Sequence, residues 1–238
     1  MLNLYITSPN SKDGKTFVAT GIAATMQSLG YSTSVYKPIQ TNGIEKNGFA
    51  QSPDLTFVKT VDAYIDTHFT YIYKTDAEPL IASELENEPI ELDLIQREYK
   101  RILSSSDCVI TDGDRGILSP IGTELQNVNL IKALKQPIVF VITPSISSIN
   151  DILTSIYVAQ DRQLEVRGVI INNIKSECSK VELNSITRIV EEYTNVKIAG
   201  LVPNIGEKYT PEDLIACLLN GVDIESLFNV KIEKLDFN

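Results

Sequence analysis

Short runs of β-branched and aliphatic residues recur along this chain, each followed by a longer amphipathic stretch, and no other feature narrows the fold as far. Such alternation is the pattern of βα units building a parallel sheet. It predicts strands at Leu2 to Thr7, Thr33 to Tyr36, Cys108 to Thr111, Ile138 to Ile142, Val169 to Ile171 and Lys197 to Val202. The run IVFVI at 138–142 is continuously apolar, as a strand covered on both faces must be. Helices are predicted at Lys15 to Leu29, Asp93 to Ser104, Thr123 to Lys135, Ile149 to Gln160, Ser179 to Tyr193 and Pro211 to Leu219, the last opened by Thr210-Pro211. Between Pro38 and about Leu92 the pattern weakens, which reads as a loop-rich insertion with one short helix from Asp54 to Val61. There is no internal repeat and no linker. The expectation is a single α/β domain over 1–238, a doubly wound, mostly parallel sheet with helices on both faces, ending in the charged tail VKIEKLDFN.

Composition removes several function classes. With 21 Lys+Arg against 31 Asp+Glu, the chain carries a formal charge of -10, so nucleic acid and anionic membrane surfaces are repelled over most of the exterior. Cys108, Cys178 and Cys217 are far apart with no CxxC, against a disulfide framework and in favour of a reducing compartment. One histidine, His68, leaves no partner for a His-rich metal site. No apolar run approaches the roughly 20 residues that span a bilayer, and the N-terminus lacks a basic leader, so a cytoplasmic protein is expected.

The strongest local signal is a strand, a loop and then Gly14-Lys15-Thr16 opening a helix. Loop and helix N-terminal N–H groups there face an anion, the helix dipole adds to them, Lys15 reaches terminal phosphates, and the Thr16 hydroxyl suits Mg2+. This points to a P-loop NTPase-like fold. The usual leading glycine is absent, because position 9 is proline. A second signal is CVITDGDRG, a strand ending in acids; Asp112 is the natural metal ligand opposite a phosphate loop and Asp114 a second candidate, while an Asp-Gly turn closing a strand accounts for the same residues. Lys37, in Tyr36-Lys37-Pro38, lies toward the carboxyl edge of the sheet, where open α/β folds bind ligands.

Together these residues resemble dethiobiotin synthase, the ATP-dependent enzyme of biotin synthesis. The resemblance runs in order through YITSPNSKDGKT, YKPIQTN, SPDL, YIYKTDAEPLIASELENEPIEL, CVITDGDRG, SSIND, GVIINN and GLVPN, nearly the whole chain. It implies a homodimer that closes a cyclic urea from 7,8-diaminononanoate, CO2 and MgATP. By position it implies that Lys12, Asp13, Gly14, Lys15 and Thr16 surround the phosphates and that Thr16, Asp54 and Asp112 hold Mg2+. It also implies that Lys37 stabilises a carbamate and the γ-phosphate, and that Ser11 and Thr41 face the substrate. Asn150 would help hold the substrate carboxylate in the site of the neighbouring subunit, Asn172 beside Pro203 would read adenine, and Glu207 would touch ribose. Read without the resemblance, Asp54 and Asn150 serve equally as helix caps and Asn172 as a turn residue.

Three departures touch the implied site. The family's leading loop glycine aligns with Ser8, its loop glutamate with Lys12, and its E-G-A-G-G segment with Asp112-Gly113-Asp114-Arg115-Gly116. Arg115 either pairs with Asp114 and leaves the site open or projects between the lysines and blocks it; the electrostatic cost of crowding cations beside Lys12, Lys15 and Lys37 favours the open arrangement. Two other readings remain: a family paralogue that binds nucleotide but has lost or changed the reaction, and a partition-type P-loop ATPase. The second is disfavoured because its additional signature lysine would fall at Asn10.

Overall fold

The computed structural model describes residues 1–232. The first half runs β1 (Leu2–Thr7), α1 (Lys15–Ser28), β2 (Thr33–Gln40), β3 (Ile44–Lys46), β4 (Phe49–Gln51), α2 (Pro53–Val61), β5 (Asp66–Ile72), α3 (Pro79–Leu85), α4 (Leu92–Leu103) and β6 (Cys108–Asp112). The second half runs β7 (Pro120–Gly122), β8 (Leu125–Gln126), α5 (Asn127–Leu134), β9 (Ile138–Ile142), α6 (Ile149–Asp161), β10 (Val166–Ile174), α7 (Lys180–Thr194), β11 (Ile198–Pro203), α8 (Pro211–Gly221) and α9 (Ile224–Phe228). Seven strands form one sheet in the order β11-β10-β9-β1-β6-β2-β5, and its pairings are parallel throughout.

Successive side chains on each strand enter opposite layers. On β9, Ile138, Phe140 and Ile142 join the core beneath α4, α5, α6 and α7, whereas Val139 and Val141 join the core beneath α1, α2, α8 and α9. Burial on both faces explains why these strands read as continuous apolar runs. Helix α1 is wedged between the sheet and α8 so tightly that a Cβ on Gly21 would lie 2.5 Å from Leu218 Cγ. Because the strands are parallel, Thr7, Gln40, Asp112 and Ile142 end on the same edge, and every loop that follows them overhangs one region.

The stretch 38–92 departs from the loop-rich expectation. Strand β2 continues to Gln40, and the segment also contains the β3–β4 hairpin, α2, the edge strand β5 and α3. Its sequence DTHFTYI is half polar because β5 closes the sheet and meets solvent along one side, which dilutes the apolar signal that marks the interior strands. The predicted helix Thr123 to Lys135 is shorter, since Leu125–Gln126 pairs as a strand before α5 starts. Of the tail VKIEKLDFN, residues 233–238 lie outside the described residues.

Candidate functional site

The loop between β1 and α1 is shaped by its own side chains. Gly14, at φ 86°, takes the left-handed conformation, and a Cβ there would lie 2.2 Å from Asn172 Nδ2, so glycine is required on both counts. The buried Asp13 side chain ties the loop to the turn before α6: Oδ1 accepts from Thr143 N at 2.9 Å, Ser147 Oγ lies 2.9 and 2.7 Å from its two oxygens, and Oδ2 accepts from Asn10 N at 2.9 Å. Burial pushes this carboxyl above its ordinary range despite those donors. Its side chain is therefore committed to the scaffold, and only its backbone is left to face a phosphate. Lys15 opens α1 and donates to Ser8 Oγ at 2.9 Å and to Asn10 O at 3.4 Å. It is buried, and desolvation together with the charge of Lys37 lowers its ammonium to about 8.

Lys37, on β2, stands between two carboxylates, 2.7 Å from Asp54 Oδ2 and 3.0 Å from Asp112 Oδ2, and donates to Gly113 O at 3.2 Å. Burial opposes its charge, yet Asp112 and Asp54 more than offset that and keep it protonated. Burial likewise works against the Asp54 carboxylate, but Lys37 outweighs it and holds Asp54 below the ordinary range. Thr16 Oγ1 donates to Asp112 Oδ2 at 2.8 Å, while Asp112 Oδ1 is buried with no hydrogen-bond partner. The N-cap of α2 is Ser52, which accepts from Leu55 N, so Asp54 is free of the capping role. Among the described residues no group of three or more His, Cys, Asp or Glu side chains gathers as a metal cluster. A cation here would take two carboxylates and a hydroxyl, with water or phosphate oxygens completing the shell; that all-oxygen set and the orphaned Asp112 Oδ1 fit Mg2+.

Lys15, Thr16, Lys37 and Asp54 share a cavity of about 440 Å3, which Ser11, Lys12, Gly14, Thr41 and Asp114 also line; Asp112 is buried behind its wall, in contact with Thr16 and Lys37. Arg115 is held at its rim: one guanidinium nitrogen donates to Ala77 O at 3.0 Å and to Thr41 Oγ1 at 3.3 Å, and Nε lies 3.6 Å from Asp114 Oδ2. It pairs with Asp114, as the open arrangement requires, but both side chains line the cavity rather than turning out of it. Beside the phosphate loop a second cavity of about 240 Å3 is lined by Lys12, Gly14, Phe17, Asn172, Pro203 and Tyr209. Asn172 Nδ2 donates to Asp13 O at 3.0 Å, which leaves its Oδ1 buried and unpartnered. Glu207 is exposed on the loop that borders this cavity. Asn150 lies apart, exposed in the first turn of α6, whose N-cap is Ser148.

The fold thus brings together Ser11, Lys12, Asp13, Gly14, Lys15, Thr16, Lys37, Thr41, Asp54 and Asp112, sets Asn172 and Pro203 next to them, and leaves Asn150 outside. Sequence reasoning passed over Asp76 on the first cavity, Phe17 and Tyr209 on the second, and the Thr143–Ser147 anchor of Asp13. Phe17 directly follows Lys15-Thr16 and was open to notice; the others depend on long-range contacts with no local signature.

A family model described as AAA domain matches residues 2–211. The chain belongs to that family. It is similar to proteins named ATP-dependent dethiobiotin synthetase BioD: 26% identical over 216 residues to that of Clostridium acetobutylicum (87% of this chain, 88% of the relative), and 25% identical over 232 residues to that of Bacillus subtilis strain 168 (96% and 98%). The match to the Bacillus cereus strain B4264 protein of the same name is 25% over 227 residues (95% and 93%). Among solved structures, the MinC:MinD cell division protein complex of Aquifex aeolicus superposes with a TM-score of 0.60 at 17% identity, covering 95% of this chain and 94% of that one. Apo McdA of Cyanothece gives 0.54 at 17% identity, covering 96% and 97%. At such identities these structures establish the P-loop α/β fold and nothing finer. The chain is a BioD-like P-loop NTPase.

Proposed function

We propose that this protein is a dethiobiotin synthase, closing a cyclic urea from 7,8-diaminononanoate and CO2 at the expense of ATP. The observation that carries the reading is Lys37: a buried ammonium held between Asp54 and Asp112, sharing one cavity with Lys15. One substrate amine adds to CO2, losing a proton to give a carbamate. A carbamate oxygen attacks the γ-phosphate and ADP leaves; the second amine then attacks the carbonyl of the mixed anhydride and expels phosphate. The protein has little covalent chemistry to supply, and its contribution is positioning and charge neutralisation. Lys15 and the loop N–H groups of residues 12–16 take the phosphates. Lys37 lies where carbamate and γ-phosphate meet, and Ser11 and Thr41 offer hydroxyls to the diamine. Mg2+, bound by Thr16, Asp54 and Asp112, would neutralise charge between the β- and γ-phosphates. Asn172, whose free Oδ1 accepts an amino group, reads the base with Pro203, and Glu207 reaches the ribose.

In this reading the protein works as a homodimer, and Asn150 serves the substrate of the neighbouring subunit. No helix among the described residues is long and apolar enough to cross a membrane, and the three cysteines are free, in keeping with a cytoplasmic enzyme of small-molecule substrates. The departure at Asp114-Arg115 does not favour a silenced paralogue, because Arg115 is drawn to Thr41 and Ala77 and the cavity remains open. The partition-type reading lacks its extra lysine at Asn10. The test is incubation of the purified protein with diaminononanoate, bicarbonate and MgATP, with mass detection of dethiobiotin and assay of ADP and phosphate. One ADP and one phosphate per ring are expected; ATP turnover without ring closure would move the protein to the paralogue class.

A further inference from the structure

Charge is distributed unevenly around the first cavity. Toward the phosphate loop stand Lys12 and Lys15, while Lys37 is already shared by Asp54 and Asp112. At the other end one guanidinium serves three carboxylates: Arg115 lies 3.4 Å from Asp76 Oδ1, 3.6 Å from Asp114 Oδ2 and 3.9 Å from Glu78 Oε1. None of the three is a bidentate pairing, and Arg115 Nε is buried with no hydrogen bond at all. Arg115 is thus divided among three carboxylates, and Lys37 and Lys15 are the other cations that act on Asp114. Asp76 and Glu78 meet bulk water, with side chains 71% and 43% exposed, whereas that of Asp114 is only 12% exposed. Asp114 Oδ2 accepts from Thr41 Oγ1 at 3.1 Å, and among the described residues its Oδ1 receives no hydrogen bond. Asp54 and Asp112 are not free for a ligand amine in the same way, being engaged by Lys37 and Thr16.

We propose that Asp114 is the amine-recognising residue of this chain: its carboxylate, fixed by Thr41 and Arg115 on the wall of the cavity that holds Lys15 and Lys37, receives the N–H groups of an alkyl diamine. This rests on the proposed reaction for the identity of the diamine, and it gives the Asp114-Arg115 departure a purpose. The cavity then has a cationic end for phosphates and an anionic end for the amine, so the two substrates enter in one orientation. Arg115 is a positioning residue, since it holds Asp114 and Thr41 without touching the reacting atoms.

The test compares wild type, Asp114→Asn, Asp114→Glu and Thr41→Val, each first confirmed as folded by its melting curve. Binding of 7,8-diaminononanoate is measured by calorimetry without nucleotide, together with KM for the diamine and for ATP. Asp114→Asn should weaken diamine binding and raise its KM at least tenfold, about 1.4 kcal/mol, while KM for ATP changes less than twofold. Asp114→Glu should recover part of the loss, and Thr41→Val, which keeps the charge but frees the carboxylate, should give a smaller rise in the same parameter. Diamine binding unchanged in Asp114→Asn, or an equal loss for ATP, overturns the assignment. If wild type binds the diamine yet forms no cyclic urea, the proposed reaction fails while the binding comparison still decides the role of Asp114. If wild type does not bind the diamine, both fall.

Discussion

Lys15 shows how much of a residue's chemistry is conferred by its surroundings. Its identity as a phosphate-loop lysine is readable from Gly14-Lys15-Thr16, but its lowered ammonium, at about 8, comes from burial and from Lys37, a residue on another strand. Below that value Lys15 is charged and attracts phosphate; above it the free protein carries a neutral amine there. Phosphates favour the charged form, so ATP binding above pH 8 must take up a proton. The affinity for ATP is therefore expected to be flat below about pH 7 and to fall toward roughly one log unit per pH unit above 8. Lys37 adds nothing in this window, because Asp112 and Asp54 keep it protonated. Calorimetry at pH 9 in buffers of different ionisation enthalpy should register uptake of close to one proton, and Lys15→Met should abolish it. A wild-type affinity independent of pH from 7 to 9.5 would show that Lys15 is charged throughout. Asp54 and Asp112 were legible as candidates in the same limited sense: their residue types and positions stand in the sequence, but the ammonium bridging them is a product of the fold.

At the scale of elements, the phosphate loop depends on a neighbour distant in sequence. Asp13 binds the start of the Thr143–Ser147 turn and the loop's own Asn10, so the strand β1 to helix α1 connection and the β9 to α6 connection form one unit. Removing this buried acceptor strands several donors at once, at a cost of about 2–4 kcal/mol after allowing for non-additivity. For a domain of this size that lowers the melting temperature by roughly 4–16 °C. Asp13→Ala should show that fall in a thermal melt and weaken ATP binding, while Asp13→Asn, which keeps one acceptor, should show less; a shift under about 1 °C would mean the loop is held elsewhere. Nothing local marks Asp13 for this work, since Thr143 and Ser147, the partners that tie the two connections together, lie 130 and 134 residues away. Interior strand β9 was readable because burial on both faces demands an unbroken apolar run, and β1 and β6 because they are apolar at most positions. Strand β5 was not, because its polar residues Asp66, Thr67, His68 and Thr70 break the apolar run that the other edge strand, β11, keeps, and the three-residue β3 and β4 are too short to carry a period.

At the scale of the whole molecule, the site as proposed is incomplete in one protomer. Asn150 lies in the first turn of α6, exposed, and does not line the cavity that holds Lys15 and Lys37. If it serves a substrate, that substrate must be bound to a second copy. The surroundings of α6 have the character such a contact requires: Ile146 just before the helix and Tyr157 on it are 40% and 46% exposed, and Leu118 is 41% exposed beside the groove to which Thr154, Ser155 and Val158 contribute. A two-fold contact is self-complementary, so α6 would face the same surface on its partner and both sites would be completed together. Light scattering after size exclusion should therefore give about twice 26.4 kDa at micromolar concentration. Ile146→Asp, which places a charge on that surface without touching a core position, should yield monomers that bind ATP as wild type does but turn over the diamine poorly. ATP affinity separates this outcome from misfolding, because Lys15, Thr16 and Asn172 all belong to one chain. A wild-type monomer would remove Asn150 from the site and leave the substrate carboxylate to be held within the protomer.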